Sequence, residues 1–361
     1  MYITRKFIRA TYRRSEGEFM KVEKLEENYK VKNYQMVRVK EMGNVVELMF
    51  QENRNNSNVI KKISANEYID TRTGEVKEFI HIENRSQAVN EVRKSLSRLR
   101  DYINTNVTNV EYCKWVTLTY KENMTDTKKL YKDFEKFNKR LRYALSKEGY
   151  KYEYIVAMEP QGRGAWHAHM LMIFDCKAPY IKNNSDDPKE FTMESVWGHG
   201  FTSTKKLDRN IDNLGAYLTA YLGDMELTEA VENVGLFNIM DKNSNINYPV
   251  VEVEVNEGDK KVSKAILKGL RMVLYPPKFN LYRCSRGVKK PIVSYEREID
   301  AQKKISAGTL TFERTIKLTD ADSDYSNVIN YRYYNRFNYT KDGKEMQVKA
   351  PCNGTSLDTK V

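Results

Sequence analysis

The stretch Trp166–Phe174 constrains the fold more than any other part of the sequence. Side chains alternate between the two faces of a β-strand, and both faces of this stretch are mainly apolar. Such a pattern is typical of a central strand covered on both sides. His167 and His169 share one face, where neutral imidazoles are common metal ligands and costly to bury without a role. The stretch therefore predicts the middle of a sheet with a metal site on one face.

The segments around this strand predict a sheet flanked by helices. Alternation predicts strands at 112–120 and 154–159, and apolar spacings of three and four predict helices at 86–104 and 126–147. The short turn 160–164 joins two neighbouring strands as a hairpin. The predicted fold class is α+β, with a central antiparallel sheet, flanking helices and terminal extensions.

The hairpin also brings a carboxylate to the histidine pair. Glu159 ends the first arm close to the point where His167 begins the second. Two imidazoles and one carboxylate with open positions suit a divalent cation that still binds substrate oxygens.

Composition narrows the class of partner. Lys plus Arg number 61 against 49 Asp plus Glu, a net charge of +12. This balance is typical of a protein with a polyanionic partner, most often nucleic acid, but charge alone fits a merely basic soluble protein equally well. The 25 tyrosines offer faces on which unpaired bases could stack. The four cysteines lack zinc-knuckle spacing and fit a reducing cytosol, so we expect a cytoplasmic protein. No apolar run approaches the ~20 residues needed to span a membrane, so we expect no membrane partner.

A pair of tyrosines lies downstream in a predicted helix at 210–222. Tyr217 and Tyr221 are one helical turn apart and face the same way. A phenol can attack a DNA phosphodiester when a metal polarises the phosphate. The alternative is that both rings simply pack beside the neighbouring leucines.

Taken together and in this order, these motifs resemble the HUH endonuclease superfamily. The resemblance is greatest to two-tyrosine rolling-circle replication initiators of phages and Gram-positive plasmids or integrative elements. It covers roughly residues 90–225 and is strongest at 158–161 and 163–169. The range 268–287 is also similar to the C-terminal region of such proteins.

The resemblance implies a role for each motif residue. His167 and His169 would bind Mg²⁺ or Mn²⁺, with Glu159 as third ligand. Tyr221 would attack the phosphate, keep the 5′ end and release a 3′-hydroxyl that primes synthesis. Tyr217 would be a second nucleophile or a positioning group.

One position departs from that pattern. Many relatives carry a lysine three residues after the tyrosine, whereas this chain has Ala220 and Asp224 there. The cations that could substitute in space are Lys205, Lys206 and Arg209.

The implied function is site-specific nicking and joining of single-stranded DNA, which initiates rolling-circle replication of a mobile element. Its partners would be single-stranded DNA, an origin duplex or hairpin, and, since the sequence has no P-loop motif, a separate host helicase and polymerase. The oligomeric state stays open. A relaxase or two-tyrosine transposase would share this chemistry. An alternative from another class is a catalytically silent DNA-binding copy-control protein, for which the missing lysine is the best support. A histidine-triad hydrolase would need a third alternating histidine where Leu171 stands.

The motifs divide the chain into three predicted segments. Residues 1–85 form an N-terminal extension, 86–230 the endonuclease core, and 231–361 a C-terminal region that binds DNA or completes the core. Of the two remaining histidines, His81 is interpreted as structural and His199 as a turn or packing residue.

Overall fold

A computed structural model of the chain describes residues 12–13, 19–25, 29–53, 60–71, 73–79, 82, 84–187, 189–207, 215, 219, 222–232, 250–257, 260–305, 308–320, 325–336, 338–339 and 345–346. The α-helices among them are α1 (Val89–Asn106), α2 (Thr127–Lys147), α3 (Met193–Trp197), α4 (Leu227–Glu232) and α5 (Glu298–Ile305). The strands are β1 (Tyr12–Arg13), β2 (Phe19–Leu25), β3 (Met36–Met42), β4 (Val45–Gln51), β5 (Ile60–Lys62), β6 (Glu67–Asp70), β7 (Val76–Glu78), β8 (Cys113–Thr119), β9 (Tyr152–Pro160), β10 (Trp166–Phe174), β11 (Thr202–Lys205), β12 (Met225–Glu226), β13 (Val250–Glu257), β14 (Lys260–Leu267), β15 (Tyr282–Cys284), β16 (Ile292–Arg297), β17 (Thr309–Asp320), β18 (Ser326–Asn335), β19 (Asn338–Tyr339) and β20 (Glu345–Met346).

The chain divides into two compact units. The first comprises residues 1–5 and 56–290, and the second 6–55 and 291–361. These units do not coincide with the three segments drawn from the motifs, whose bounds at 85 and 230 stay a prediction.

The first unit is built around a five-stranded sheet in the order β11-β8-β10-β9-β15. Every pairing in it is antiparallel, and β10 occupies the middle. The predicted α+β fold class with an antiparallel central sheet is therefore confirmed. Two smaller sheets, β12-β14-β13 and β5-β6-β7, belong to the same unit.

Helix α2 covers one face of this sheet. The Asp126 side chain caps its first turn by accepting from the backbone N–H groups of Lys128 and Lys129, at 2.8 and 3.2 Å. A stripe with helical spacing then turns inward, and its members are all buried: Leu130, Phe134, Phe137, Leu141 and Leu145. They pack against Met170 and Met172 of β10 in one apolar cluster.

Helix α1 contributes to the core on the other face. Leu99 and Ile103 pack there in a second apolar cluster with Ala157 of β9 and Leu171 of β10. His167, His169 and Leu171 are spaced two residues apart along β10, so all three side chains lie on this face. We call it the histidine face.

The second unit contains a seven-stranded sheet in the order β1-β2-β17-β18-β4-β3-β16. Helix α5 packs Ala301 and Ile305 against the apolar residues of β3 and β4. Arg332 of β18 donates to both carboxylate oxygens of Glu298, at 2.5 and 2.7 Å, in a buried ion pair. Among the helices that the structure describes, none combines the length and apolarity needed to cross a membrane.

Candidate active site

Strand register places the three predicted metal ligands together. His167 lies opposite Glu159 of β9 and opposite Thr119 of β8. His169 lies opposite Ala157 and Thr117. The tight turn closed by the Gly164 N–H on the Gln161 carbonyl, at 2.8 Å, produces this register.

The ring of His169 is held on three sides. Its Nδ1 lies 3.2 Å from Thr117 Oγ1, and its plane stacks on Trp115 at 5.7 Å between centroids and 17° between planes. Its Nε2 lies 2.5 Å from Glu159 Oε2. This contact sets Nε2 directly against a carboxylate oxygen. A fixed ring whose other nitrogen is engaged is the usual state of a metal-binding histidine.

His167 presents an unpaired nitrogen. Its Nε2 is buried and has no hydrogen-bond partner among the described residues. Burial, reinforced by His169, lowers the pKa of His167 to about 4, which leaves the ring neutral at pH 7 with a free lone pair. Buried polar atoms are rarely left unpaired, and those that are need an explanation.

Glu159 completes the group as a buried carboxylate, 9% exposed. Its Oε1 lies 3.0 Å from Arg271 Nε, while its Oε2 faces His169. Burial opposes ionisation, but the contact with His169 and the charge of Arg271 hold the pKa of Glu159 below its usual range. The group is therefore a carboxylate at neutral pH.

Arg271 is the residue of this site that the sequence did not single out. It is 7% exposed and donates to both oxygens of Glu229, at 2.9 and 3.1 Å. It also donates to the backbone carbonyls of Pro160 and Asp224, each at 2.9 Å. Arg271 thus ties the end of β9 to α4 and to the segment before β12.

The donor set fits a divalent cation in its chemistry. Two imidazoles and one ionised carboxylate are ligand types that such ions accept. Among the residues that the structure describes, however, no three His, Cys, Asp or Glu side chains converge closely enough to hold a metal ion. The centroids of the two histidine rings are 6.1 Å apart. The metal site therefore stays a prediction that rests on its donors.

The predicted nucleophiles Tyr217 and Tyr221 lie outside the described residues, but some of their neighbours do not. Gly215, Thr219 and Leu222 are helical. Leu222 is buried in the apolar cluster of the histidine face. These neighbours therefore belong to the same face of the sheet as the histidine pair.

Gly215 explains how closely this segment approaches α1. Its N–H donates to Asn104 Oδ1 at 2.8 Å. A Cβ at this position would lie 2.5 Å from the Arg100 carbonyl oxygen, so only glycine fits the contact.

The structure shows no contact between the histidine pair and the described candidates for the missing lysine. Lys205 and Lys206 are exposed, and Lys205 ends β11 opposite Trp115. Arg209 is outside the described ranges. Asp224 instead accepts from Lys268 Nζ at 2.5 Å and from the Gly269 N–H at 3.1 Å.

His199 lies on the other side of the sheet. Its ring packs on Trp197 at 4.9 Å between centroids, and its Nε2 is 3.6 Å from Asp133 Oδ1 of α2. His81 lies outside the described residues.

The central part of the chain is similar to a class of replication proteins. Residues 113–226 match a family model described as replication-associated protein, of the ORF2 type. The matched range contains the histidine pair, Glu159 and both predicted tyrosines. The predicted resemblance is confirmed at this level, and it supports a role in the initiation of replication. No curated protein and no solved structure matches the chain.

Proposed function

We propose that this protein nicks a specific DNA strand and rejoins it through a phosphotyrosine intermediate, as an HUH-type initiator of rolling-circle replication. The observation that carries the proposal is the buried Nε2 of His167, unpaired among the described residues, beside His169 and ionised Glu159. That group lies within the range that matches replication-associated proteins.

His167, His169 and Glu159 would hold Mg²⁺ or Mn²⁺. When bound, the ion polarises the scissile phosphate. Arg271 keeps the Glu159 carboxylate charged and fixed, and Trp115 with Thr117 keeps the His169 ring in place.

Tyr221 is the proposed first nucleophile and Tyr217 the second. The phenol oxygen of Tyr221 bonds to phosphorus, and the bond from phosphorus to the 3′ oxygen breaks. The phenol proton is lost, and the released 3′ oxygen takes up a proton. The burial of Leu222 on the histidine face supports this assignment.

The decisive test is a covalent adduct. We expect the protein with Mn²⁺ and labelled single strands, tiled across the element that encodes it, to give an adduct that survives denaturing electrophoresis. Tyr221→Phe should lose the adduct, while Tyr217→Phe should keep the first transfer and lose the second. Failure of every strand to form an adduct would favour a silent DNA-binding protein.

A further inference from the structure

A cavity outside the histidine site lies at the edge of the five-stranded sheet. It has a volume of about 440 Å³ and is open between α1 and the chain around β15. Ser95, Arg98 and Tyr102 line it from α1, and Tyr282 lines it from β15. Arg85, just before α1, closes another side. We call it the edge cavity.

The charge of the edge cavity is one-sided. Arg85, Arg98 and Arg283 line it, and none of its described lining residues is a carboxylate. Arg283 is engaged elsewhere, since its guanidinium lies 3.6 Å from the Tyr131 ring centroid and 3.6 Å from Glu135. Arg85 and Arg98 are thus the cations left facing the cavity.

Arg85 is the decisive residue. It is 9% exposed, and its Nε is buried without a hydrogen-bond partner among the described residues. No ion pair is found for it in those ranges. The buried Arg271 and Arg332, by contrast, each contact a carboxylate within 3.0 Å. An unpaired buried cation lowers the stability of the fold. We therefore expect an anion to bind beside Arg85 in the cavity.

Two tyrosine rings give the cavity an aromatic wall. Tyr102 and Tyr282 meet edge to face, with centroids 6.2 Å apart, and both are only partly buried. Exposed aromatic faces next to cations are the features that bind unpaired nucleotides, whose bases stack and whose phosphates pair.

The cavity also borders the proposed chemistry. Tyr282 pairs with Ala157, and Ala157 pairs with His169, so the three backbone positions lie on adjacent strands. Two strand spacings correspond to roughly 10 Å, within a few nucleotides of a strand bound at the histidine pair.

We propose that the edge cavity binds one nucleotide unit of the unpaired DNA strand, with its phosphate at Arg85 and Arg98 and its base against Tyr102. This inference rests on the proposed function for the strand itself. The edge cavity would then be a second binding site for the strand, next to the point of cleavage.

The test measures binding of a fluorescent oligo(dT) strand to the full chain in a chelator, so that no strand is cut. We expect Arg85→Met to weaken binding about tenfold. Arg98→Ala, at an exposed position that the fold does not need, should weaken binding less. Each variant should reduce the slope of log affinity against log salt by about 0.7, the value of one lost phosphate contact on a single strand.

Control variants distinguish a direct contact with the strand from the effect of the protein's overall positive charge. Lys139→Ala removes one exposed cation from α2, on the other side of the sheet, and should leave the affinity and the salt slope close to wild type. Tyr102→Leu should weaken binding roughly tenfold through lost stacking, while Tyr102→Phe keeps the ring and the affinity.

Three results would overturn the inference. Arg85→Met and Arg98→Ala could match Lys139→Ala in affinity and slope, or the wild type could fail to bind the strand. Tyr102→Phe could also lose as much affinity as Tyr102→Leu, which would show that no base stacks on the Tyr102 ring. The adduct assay is independent of all three, so the proposed nicking activity is judged separately.

Discussion

The two faces of strand β10 share one backbone but differ in how their side chains are satisfied. On the face toward α2, Trp166, Ala168, Met170, Met172 and Phe174 are at most 4% exposed and form part of one apolar cluster. On the histidine face, the same strand is apolar at its far end and carries two imidazoles near the hairpin, where the Nε2 atom of His167 is unpaired among the described residues. The packed face fixes the backbone, and the fixed backbone holds polar groups that would otherwise find partners.

Buried charge follows the same division. On the α2 side, Asp133 accepts from the Tyr120 hydroxyl at 3.1 Å and from Lys129 Nζ at 2.5 Å. On the histidine face, Glu159 contacts Arg271 and His169, but the Nε2 atom of His167 has no such donor or acceptor in the described ranges. Since folding selects for satisfied polar groups, the unsatisfied face is the one shaped by function.

Removing a histidine should give the largest effect on activity and a smaller one on stability. His169→Ala is expected to abolish the covalent adduct, because a proposed ligand is lost. Its thermal midpoint should fall less than its activity, because the contact with Thr117 and the stacking on Trp115 are lost from a single ring. His199→Ala, on the other side of the sheet, is the control and should keep the adduct. Equal loss in both variants would mean that the two faces do not differ in function.

A substitution on the packed face should show the reverse. Met170 is fully buried, and Met170→Ala is expected to lower the free energy of unfolding by about 2–5 kcal/mol in urea titration. Adduct formation per folded molecule should not change.

Leu171→Ala is the matched variant on the histidine face of the same strand. Leu171 is equally buried, so a similar loss of stability is expected. It packs in one cluster with Leu222, the residue after Tyr221, and should therefore also slow adduct formation. If Met170→Ala slowed the reaction as much, the separation between packing and chemistry would be wrong.

Much of the histidine site could be predicted from local pattern. Alternation defined Trp166–Phe174 as a strand, and the short turn set Glu159 opposite His167. These features depend on residues close together in the chain, where periodicity and turn length decide the geometry.

What could not be predicted depends on distant partners. Arg271 lies 111 residues after Pro160, whose carbonyl it contacts, and no periodicity distinguishes it among 61 basic residues. The pairing of β4 with β18 is similar, since alternation marks each strand but does not name its neighbour.

Arg271 tests the comparison between packing and chemistry, because it contacts both the site residue Glu159 and the supporting residue Glu229. Arg271→Lys keeps the charge but loses the two-point contact with Glu229, so adduct formation should fall roughly tenfold to a hundredfold. Arg332→Lys is the control, because it weakens an equally buried two-point pair, with Glu298, in the other unit. It should lower stability without changing the rate per folded molecule. A rate loss of the same size in Arg332→Lys would show that general destabilisation, and not the position of Glu159, controls the reaction.

The smallest expected effect is a pH dependence confined to the histidine face. The folded chain lowers the pKa of His167 to about 4 from an ordinary value near 6.5, so the unfolded chain takes up this proton first as the pH falls. Stability from this group is therefore complete above pH ~6.5 and is lost progressively toward pH ~4. In the presence of a chelator, the free energy of unfolding of His167→Gln should fall by roughly 1 kcal/mol less than that of wild type between pH ~6.5 and pH ~4. The difference is small because solvent screens a partly exposed ring. Met170→Ala leaves His167 intact and should follow the wild-type slope, displaced downward. Parallel wild-type and His167→Gln curves would instead mean that burial of His167 does not disfavour its charge.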